Sequence, residues 1–254
     1  MTRLVKILLV VLVVGYFGIC GALYVFQRSL IYHPVPRLTP DSTTIVTLEV
    51  GGEKVLVSAR PHDGPKAIIY FGGNSEDVSA RMPAFSEAFP DHAIYLMHFR
   101  GYGGSSGKPT EEGLVADSLA LFDKVRTDHP EITVIGHSLG SGVAVHLASL
   151  RPASRLILVT PYDSLVEIAA RRFPIFPVSL IMTDKFESWR YAPAVTVPTL
   201  IIAAENDEVI PRENTDRLFT RFADGVATFK VIANTDHNSI SRSPEYLRLL
   251  RTRL

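Results

Sequence analysis

The stretch Ile132-Thr133-Val134-Ile135-Gly136-His137-Ser138-Leu139-Gly140 decides how this chain is read. A short apolar, β-branched run ends at Gly136, and residues 139–150 suit a helix. The pattern is therefore strand, sharp turn, helix, with Ser138 exposed on the turn. Such a turn is cramped, and the glycines two residues before and two after the serine remove the Cβ atoms that would collide. This is the G-x-S-x-G nucleophile elbow. Glycine and serine are common in loops, so the weight of the motif rests on its surroundings.

Outward from the elbow, short β-branched runs fall at 67–71, 93–99, 132–135, 155–160, 199–204 and 228–232. Helix-like stretches lie between and after them at 78–89, 111–127, 139–150, 212–222 and 243–253. Strands alternating with helices predict an α/β fold, with a mostly parallel central sheet covered by helices on both faces. Two alternating runs, 44–50 and 54–60, are joined by Gly51-Gly52 and predict an antiparallel β-hairpin at one edge. Residues 161–198 break the rhythm with five prolines and the apolar patch Phe173-Pro174-Ile175-Phe176-Pro177-Val178. They read as a small cap inserted after the sixth strand-type segment. The Leu and Arg residues of 247–254 read as a solvated helix edge.

Ligands of open parallel sheets sit at the carboxyl ends of the strands, and chemistry-bearing residues fall there. Asp207 follows the run 199–204 in Glu205-Asn206-Asp207-Glu208, and His237 follows the last run in Thr235-Asp236-His237-Asn238. The chain order Ser138, Asp207, His237 gives the serine hydroxyl a base to take its proton and gives the base an acid to fix its tautomer. Asp163, Glu205 and Glu208 compete with Asp207, and Asp163 also reads as a helix N-cap. His137 lies inside the elbow and is expected to point away from the serine, His146 lies two helical turns further on, and His129 falls at the opposite end of the sheet. An oxyanion would need backbone donors: Leu139 follows the nucleophile, and Phe71-Gly72-Gly73-Asn74-Ser75 supplies Asn74, with Ser75 as the alternative. Arg100-Gly101-Tyr102-Gly103-Gly104-Ser105-Ser106-Gly107-Lys108-Pro109 has neither the third glycine of a dinucleotide loop nor the Ser/Thr of a P-loop, and reads as a tight loop supporting the oxyanion side.

Residues 7–26 are uncharged and apolar, and as a helix they span ~30 Å, the thickness of a bilayer core. Arg3 and Lys6 precede them and Tyr24, Phe26 and Arg28 close them, as at a membrane interface. A cleaved signal peptide would have a shorter apolar region and an A-x-A-like site. An anchor at 1–29, with 30–254 as a catalytic domain and a cap at about 161–198, is the expected organisation. Residues 30–40 hold three prolines and read as an extended strap. The N-terminal basic pair favours a cytoplasmic N-terminus and a catalytic domain across the membrane. A formal charge of zero with scattered basic residues leaves no footprint for nucleic acid. Cys20 is the only cysteine, which excludes an intramolecular disulfide and a cysteine-based zinc site.

Together with Gln27-Arg28-Ser29-Leu30-Ile31-Tyr32-His33-Pro34 and Pro161-Tyr162-Asp163-Ser164, these motifs make the chain resemble the membrane-anchored α/β-hydrolases, over nearly its whole length. The resemblance implies the α/β-hydrolase fold, a Ser138-Asp207-His237 triad, no metal and no cofactor, and an ester, thioester or lipid acyl substrate. Phe71 stands where many relatives carry His, and His98 where Asp often stands; both touch the surroundings of the oxyanion loop. Phe173, Phe176 and Trp189 are the candidate substrate-binding residues of the cap. A peptidase with the same triad and a non-catalytic membrane-tethered binding module are the alternatives.

Overall fold

Strand alternation in the middle of the chain produces a sheet buried on both faces. The computed structural model describes residues 2–38 and 44–252. Its eight strands are β1 Thr44–Val50, β2 Glu53–Arg60, β3 Lys66–Phe71, β4 Ala93–Met97, β5 Glu131–His137, β6 Arg155–Val159, β7 Thr199–Ala204 and β8 Ala227–Ile232. They are ordered β1-β2-β4-β3-β5-β6-β7-β8. β1 and β2 pair antiparallel, β2 pairs antiparallel with β4, and all later pairs are parallel. Gly51 and Gly52 turn the hairpin with φ of 60° and 82°, the positive pair that a two-residue type I′ turn requires.

Successive residues of one strand enter opposite cores. Ile69, Phe71, Val134, Leu156 and Leu158 join one cluster, with Leu121 and Phe122 of α3 (Glu111–Arg126) and Val143 and Leu147 of α4 (Leu139–Leu150). Ile68, Tyr70, Ile135 and Ile157 join the other, with Phe85 of α2 (Met82–Ala88) and Tyr246 and Leu250 of α9 (Pro244–Arg251). The expected solvated helix edge thus has buried residues on one side, and its last residues, 253 and 254, lie outside the described ones. Thr110 caps α3, its hydroxyl accepting from the Gly113 N–H at 2.9 Å.

Helix α1, Arg3–Ile31, carries the apolar N-terminal run, with Leu8, Val10, Leu12, Phe17 and Val25 more than half exposed. It is long and apolar enough to cross a membrane. It absorbs Leu30 and Ile31, so the extended strap starts at Tyr32; the strap's expected end, Pro40, lies outside the described residues. Between β6 and β7 the chain forms α5 (Leu165–Arg172), α6 (Val178–Ile181) and α7 (Ser188–Tyr191), while α8 (Arg212–Phe219) follows β7.

Candidate active site

The parallel register aligns the carboxyl ends of the strands: Phe71 pairs with Gly136, His137 with Val159 and Ala204 with Ile232. The loops leaving these ends therefore meet. At the elbow Ser138 adopts φ 48° and ψ −117°, a left-handed backbone that a side-chain-bearing residue rarely takes. It is held there by bonds on both sides: the Ser138 N–H donates to the Val159 carbonyl at 2.9 Å, and the Gly140 N–H to the Gly72 carbonyl at 3.1 Å. The two elbow glycines are needed for space. A Cβ on Gly136 would lie 2.5 Å from the Gly140 carbonyl, and one on Gly140 would run into the Phe71 carbonyl.

Ser138, His237 and Asp207 form a continuous hydrogen-bonded chain. Ser138 Oγ lies 2.9 Å from His237 Nε2, and His237 Nδ1 lies 2.9 and 3.0 Å from the two Asp207 carboxylate oxygens. Asp207 is fixed by its own turn, Oδ1 accepting from the N–H groups of Val209 and Ile210 at 3.0 and 2.8 Å. Its rivals are engaged elsewhere. Asp163 accepts from Asn214, from Arg217 and from the Ser164 N–H, tying the β6 exit to α8; Ser164, not Asp163, stands at the N-cap of α5. Glu205 accepts from the Asn234 N–H, and Glu208 is exposed.

The other histidines are also placed. His129 bonds the Gly64 carbonyl at the amino end of the sheet, and His146 stacks on Tyr191 at 3.7 Å. His137 belongs to the site's surroundings: its ring lies nearly parallel to that of His237, with centroids 6.0 Å apart.

The Gly72-Gly73-Asn74 turn packs on the elbow, where a Cβ on Gly73 would sit 3.4 Å from that of Ser138. The Gly73 N–H is already taken by Glu76 Oε2 at 2.7 Å. The N–H groups of Asn74 and Leu139 donate to no other described residue. Asn74's side chain is a clasp: Oδ1 accepts from the Tyr102 hydroxyl at 2.7 Å and the His33 N–H at 2.9 Å, and Nδ2 donates to the Ile31 carbonyl at 2.6 Å. The Arg100–Pro109 loop thus supports the Gly72-Gly73-Asn74 turn through Tyr102, while Arg100 is anchored to both carboxylate oxygens of Asp117.

Glu76 escaped the reading of the sequence. It receives hydrogen bonds from the Tyr70 hydroxyl, the Gly73 N–H and Arg81, and lies 3.0 Å from His137 Nδ1. Burial pushes its carboxyl up, but His137 and Arg81 outweigh that and hold it well below the usual carboxylate range. No local motif announces such a residue, because its partners come from β3, the elbow and the turn leading to α2.

The three cap aromatics do not converge into one pocket. Phe173 is 49% exposed, Phe176 stacks on Tyr16 of α1 with centroids 5.9 Å apart, and Trp189 lies within 6 Å of the Arg190 and Arg221 guanidinium groups. A cavity of about 730 Å³ bounded by Arg28, Glu111, His146, Asp184 and Tyr191 takes no side chain from the triad. Among the described residues, no three His, Cys, Asp or Glu side chains gather in a way that could hold a metal ion.

Comparison with known proteins agrees with this fold. Residues 71–177 match a family model described as the alpha/beta hydrolase fold. An uncharacterized protein of Mycobacterium tuberculosis is 31% identical over 240 residues, a match covering 87% of this chain and 84% of that one. Lysophosphatidylserine lipase ABHD12 of Xenopus tropicalis is 29% identical over 255 residues, covering 87% of this chain and 64% of the lipase. Among solved structures, the Pyrococcus furiosus esterase Pf2001 superposes with a TM-score of 0.69 at 20% identity, over 87% of this chain and 96% of that one.

Proposed function

The chain belongs to the α/β-hydrolase-domain family that includes ABHD12, and we propose that it is a membrane-anchored serine hydrolase cleaving a carboxylic ester or thioester of a lipid or other acylated substrate. The observation that carries this reading is the unbroken hydrogen-bonded chain from Ser138 Oγ through His237 to Asp207. Ser138 Oγ attacks the acyl carbonyl while His237 Nε2 takes its proton, and Asp207 holds the Nδ1–H tautomer and stabilises the imidazolium. The oxyanion is received by the N–H groups of Leu139 and Asn74. His237 then protonates the departing alcohol or thiol, leaving an acyl-enzyme on Ser138. Water activated by the same imidazole releases the acid.

A lipid acyl group is favoured by the apolar helix and by the lipase name of a relative that this chain spans for 64% of its length. Residues 1–29 serve as the anchor and 30–254 as the hydrolase domain, with the cap at 161–198. Phe173 and Phe176 meet the acyl chain on the membrane side of the cap, and Trp189 braces it. Arg3 and Lys6 keep the N-terminus cytoplasmic and the hydrolase domain on the other side, which protease protection in sealed vesicles reads directly. A fluorophosphonate probe labels the full-length protein and not Ser138→Ala; equal labelling of the two overturns the assignment. Acyl esters, acyl thioesters and peptides assayed in parallel identify the bond cleaved.

A further inference from the structure

Between Arg172 and Asp184 the cap runs for eleven residues without a charge, and its side chains Phe173, Ile175 and Leu180 are 49%, 72% and 83% exposed. This ridge lies against α1. The Tyr16 hydroxyl donates to the Ile175 carbonyl at 2.8 Å, Tyr16 stacks on Phe176, and Gln27 Nε2 donates to the Ile181 carbonyl at 3.1 Å. At the end of the contact Arg28 pairs with Asp184 at 3.1 Å. We propose that cap residues 173–181 form a second membrane-embedded element, lying beside α1 with Phe173, Ile175 and Leu180 in lipid. This rests on the reading of α1 as an anchor.

Depth is the first argument. Tyr16 precedes Arg28 by twelve residues, about 18 Å along the helix axis, against a hydrocarbon core of about 30 Å. A segment touching both the Tyr16 level and the Gln27 level cannot stay outside the core unless the intervening helix does too. That helix exposes Phe17, Ile19, Val25 and Phe26, which belong in lipid. The polar boundary of α1 at Arg28 is also where the cap's uncharged run ends, at Asp184, which pairs with Arg28.

The second argument is backbone satisfaction, which hydrocarbon demands of any non-helical segment. Pro174 and Pro177 have no N–H. The N–H groups of Phe173, Phe176, Val178, Leu180 and Ile181 find carbonyl acceptors nearby, while those of Ile175 and Ser179 meet none among the described residues. The Ile175 and Ile181 carbonyls are met by α1 itself. Gln27 is satisfied in turn, its Oε1 accepting from the N–H and hydroxyl of Thr183. A cap immersed beside its own anchor would let an acyl chain reach the hydrolase domain from the bilayer.

The test uses the full chain carrying Cys20→Ser in phosphatidylcholine vesicles, with a nitroxide at Ile175→Cys or Leu180→Cys. Phe17→Cys reports the anchor, and Leu150→Cys, at the solvent end of α4, reports water. Oxygen and a water-soluble nickel chelate compete to relax each label. The expected result is an oxygen-to-nickel ratio at 175 and 180 severalfold above that at 150 and close to that at 17. Ratios at 175 and 180 equal to that at 150, with 17 in lipid, overturn the immersed cap and leave the anchor standing. A water-like ratio at 17 overturns the anchor reading, and this inference with it.

Discussion

At Ser138 the strained backbone is tolerated because β6 and the Gly72–Asn74 turn hold the elbow, and a buried carboxylate at that turn shows how tightly this surrounding is set. Glu76 is bonded to the Gly73 N–H next to the expected oxyanion turn, and its charge faces Arg81 at 2.7 Å. Glu76→Gln keeps the shape and removes the charge. Loss of one partner from a buried pair costs about 3 kcal/mol, and loosening of the Gly73–Asn74 turn lowers kcat by ~10²-fold. Urea unfolding and steady-state kinetics measure the two effects, and unchanged kcat would separate Glu76 from the oxyanion turn. His98, buried with its Nε2 2.8 Å from the Ser58 hydroxyl, is one pH-sensitive residue. Burial lowers its pKa to about 4, with Asp77 opposing and Arg37 assisting. Between pH 4 and 6.5 the unfolded chain therefore binds a proton there that the folded chain refuses, so stability rises with pH across this window, by on the order of 3 kcal/mol from this group. Above pH 6.5 the contribution is level. In His98→Gln the unfolding free energy loses this slope relative to the parent; parallel curves would show that His98 is not the source.

The elements explain why the elbow was legible before the fold was known. A β-branched run followed by glycine, serine and glycine can form only a few backbones, and the helix after it needs no distant partner to be recognised. Gly140 carries this logic into a test. Its N–H bonds the Gly72 carbonyl at 3.1 Å, and a methyl group at its Cα would strike the carbonyl of Phe71. Relief requires β3 and α4 to separate, which breaks that bond and displaces Leu139, the expected oxyanion donor. Gly140→Ala therefore destabilises the protein by about 3 kcal/mol and lowers fluorophosphonate labelling by ~10²-fold, read by urea unfolding and by labelling rate. The hairpin turn was equally readable, because Gly51-Gly52 satisfies a purely local demand for positive φ. The boundary between helix and strap was not: Leu30 and Ile31 are neutral between the two, and the tertiary bonds of Gln27, Arg28 and Tyr32 to the cap decide where the helix stops.

On the scale of the molecule, residues whose positions follow from chain order were readable, and contacts between residues far apart in the chain were not. Asp207 and His237 stand after the last two strands, so the parallel sheet brings them to Ser138 as alternation and order implied. Gln27 was readable only as part of the segment that follows the apolar run, yet its partners lie 154 and 156 residues away. The apolarity of Phe173 and Phe176 was evident, but nothing local could say that Phe176 would meet Tyr16. These long-range bonds join α1, the cap and the Gly72–Asn74 turn, since Asn74 holds the Ile31 carbonyl as Gln27 holds the cap. Helix α1 is thus a structural wall of the hydrolase domain as well as the proposed tether. In Gln27→Leu the Thr183 N–H and the Ile181 carbonyl lose their partners, at a cost of about 2 kcal/mol to the closed cap. If trypsin cuts only opened caps, that change raises cleavage about 30-fold, at Arg171, Arg172 and Lys185, which border the uncharged run. The full-length protein in nanodiscs, digested and mapped by mass spectrometry, should show faster cutting at these three sites and unchanged cutting after Arg126, at the far end of α3. Uniform acceleration at all sites would mean global destabilisation, and no acceleration would mean that the cap is held without α1.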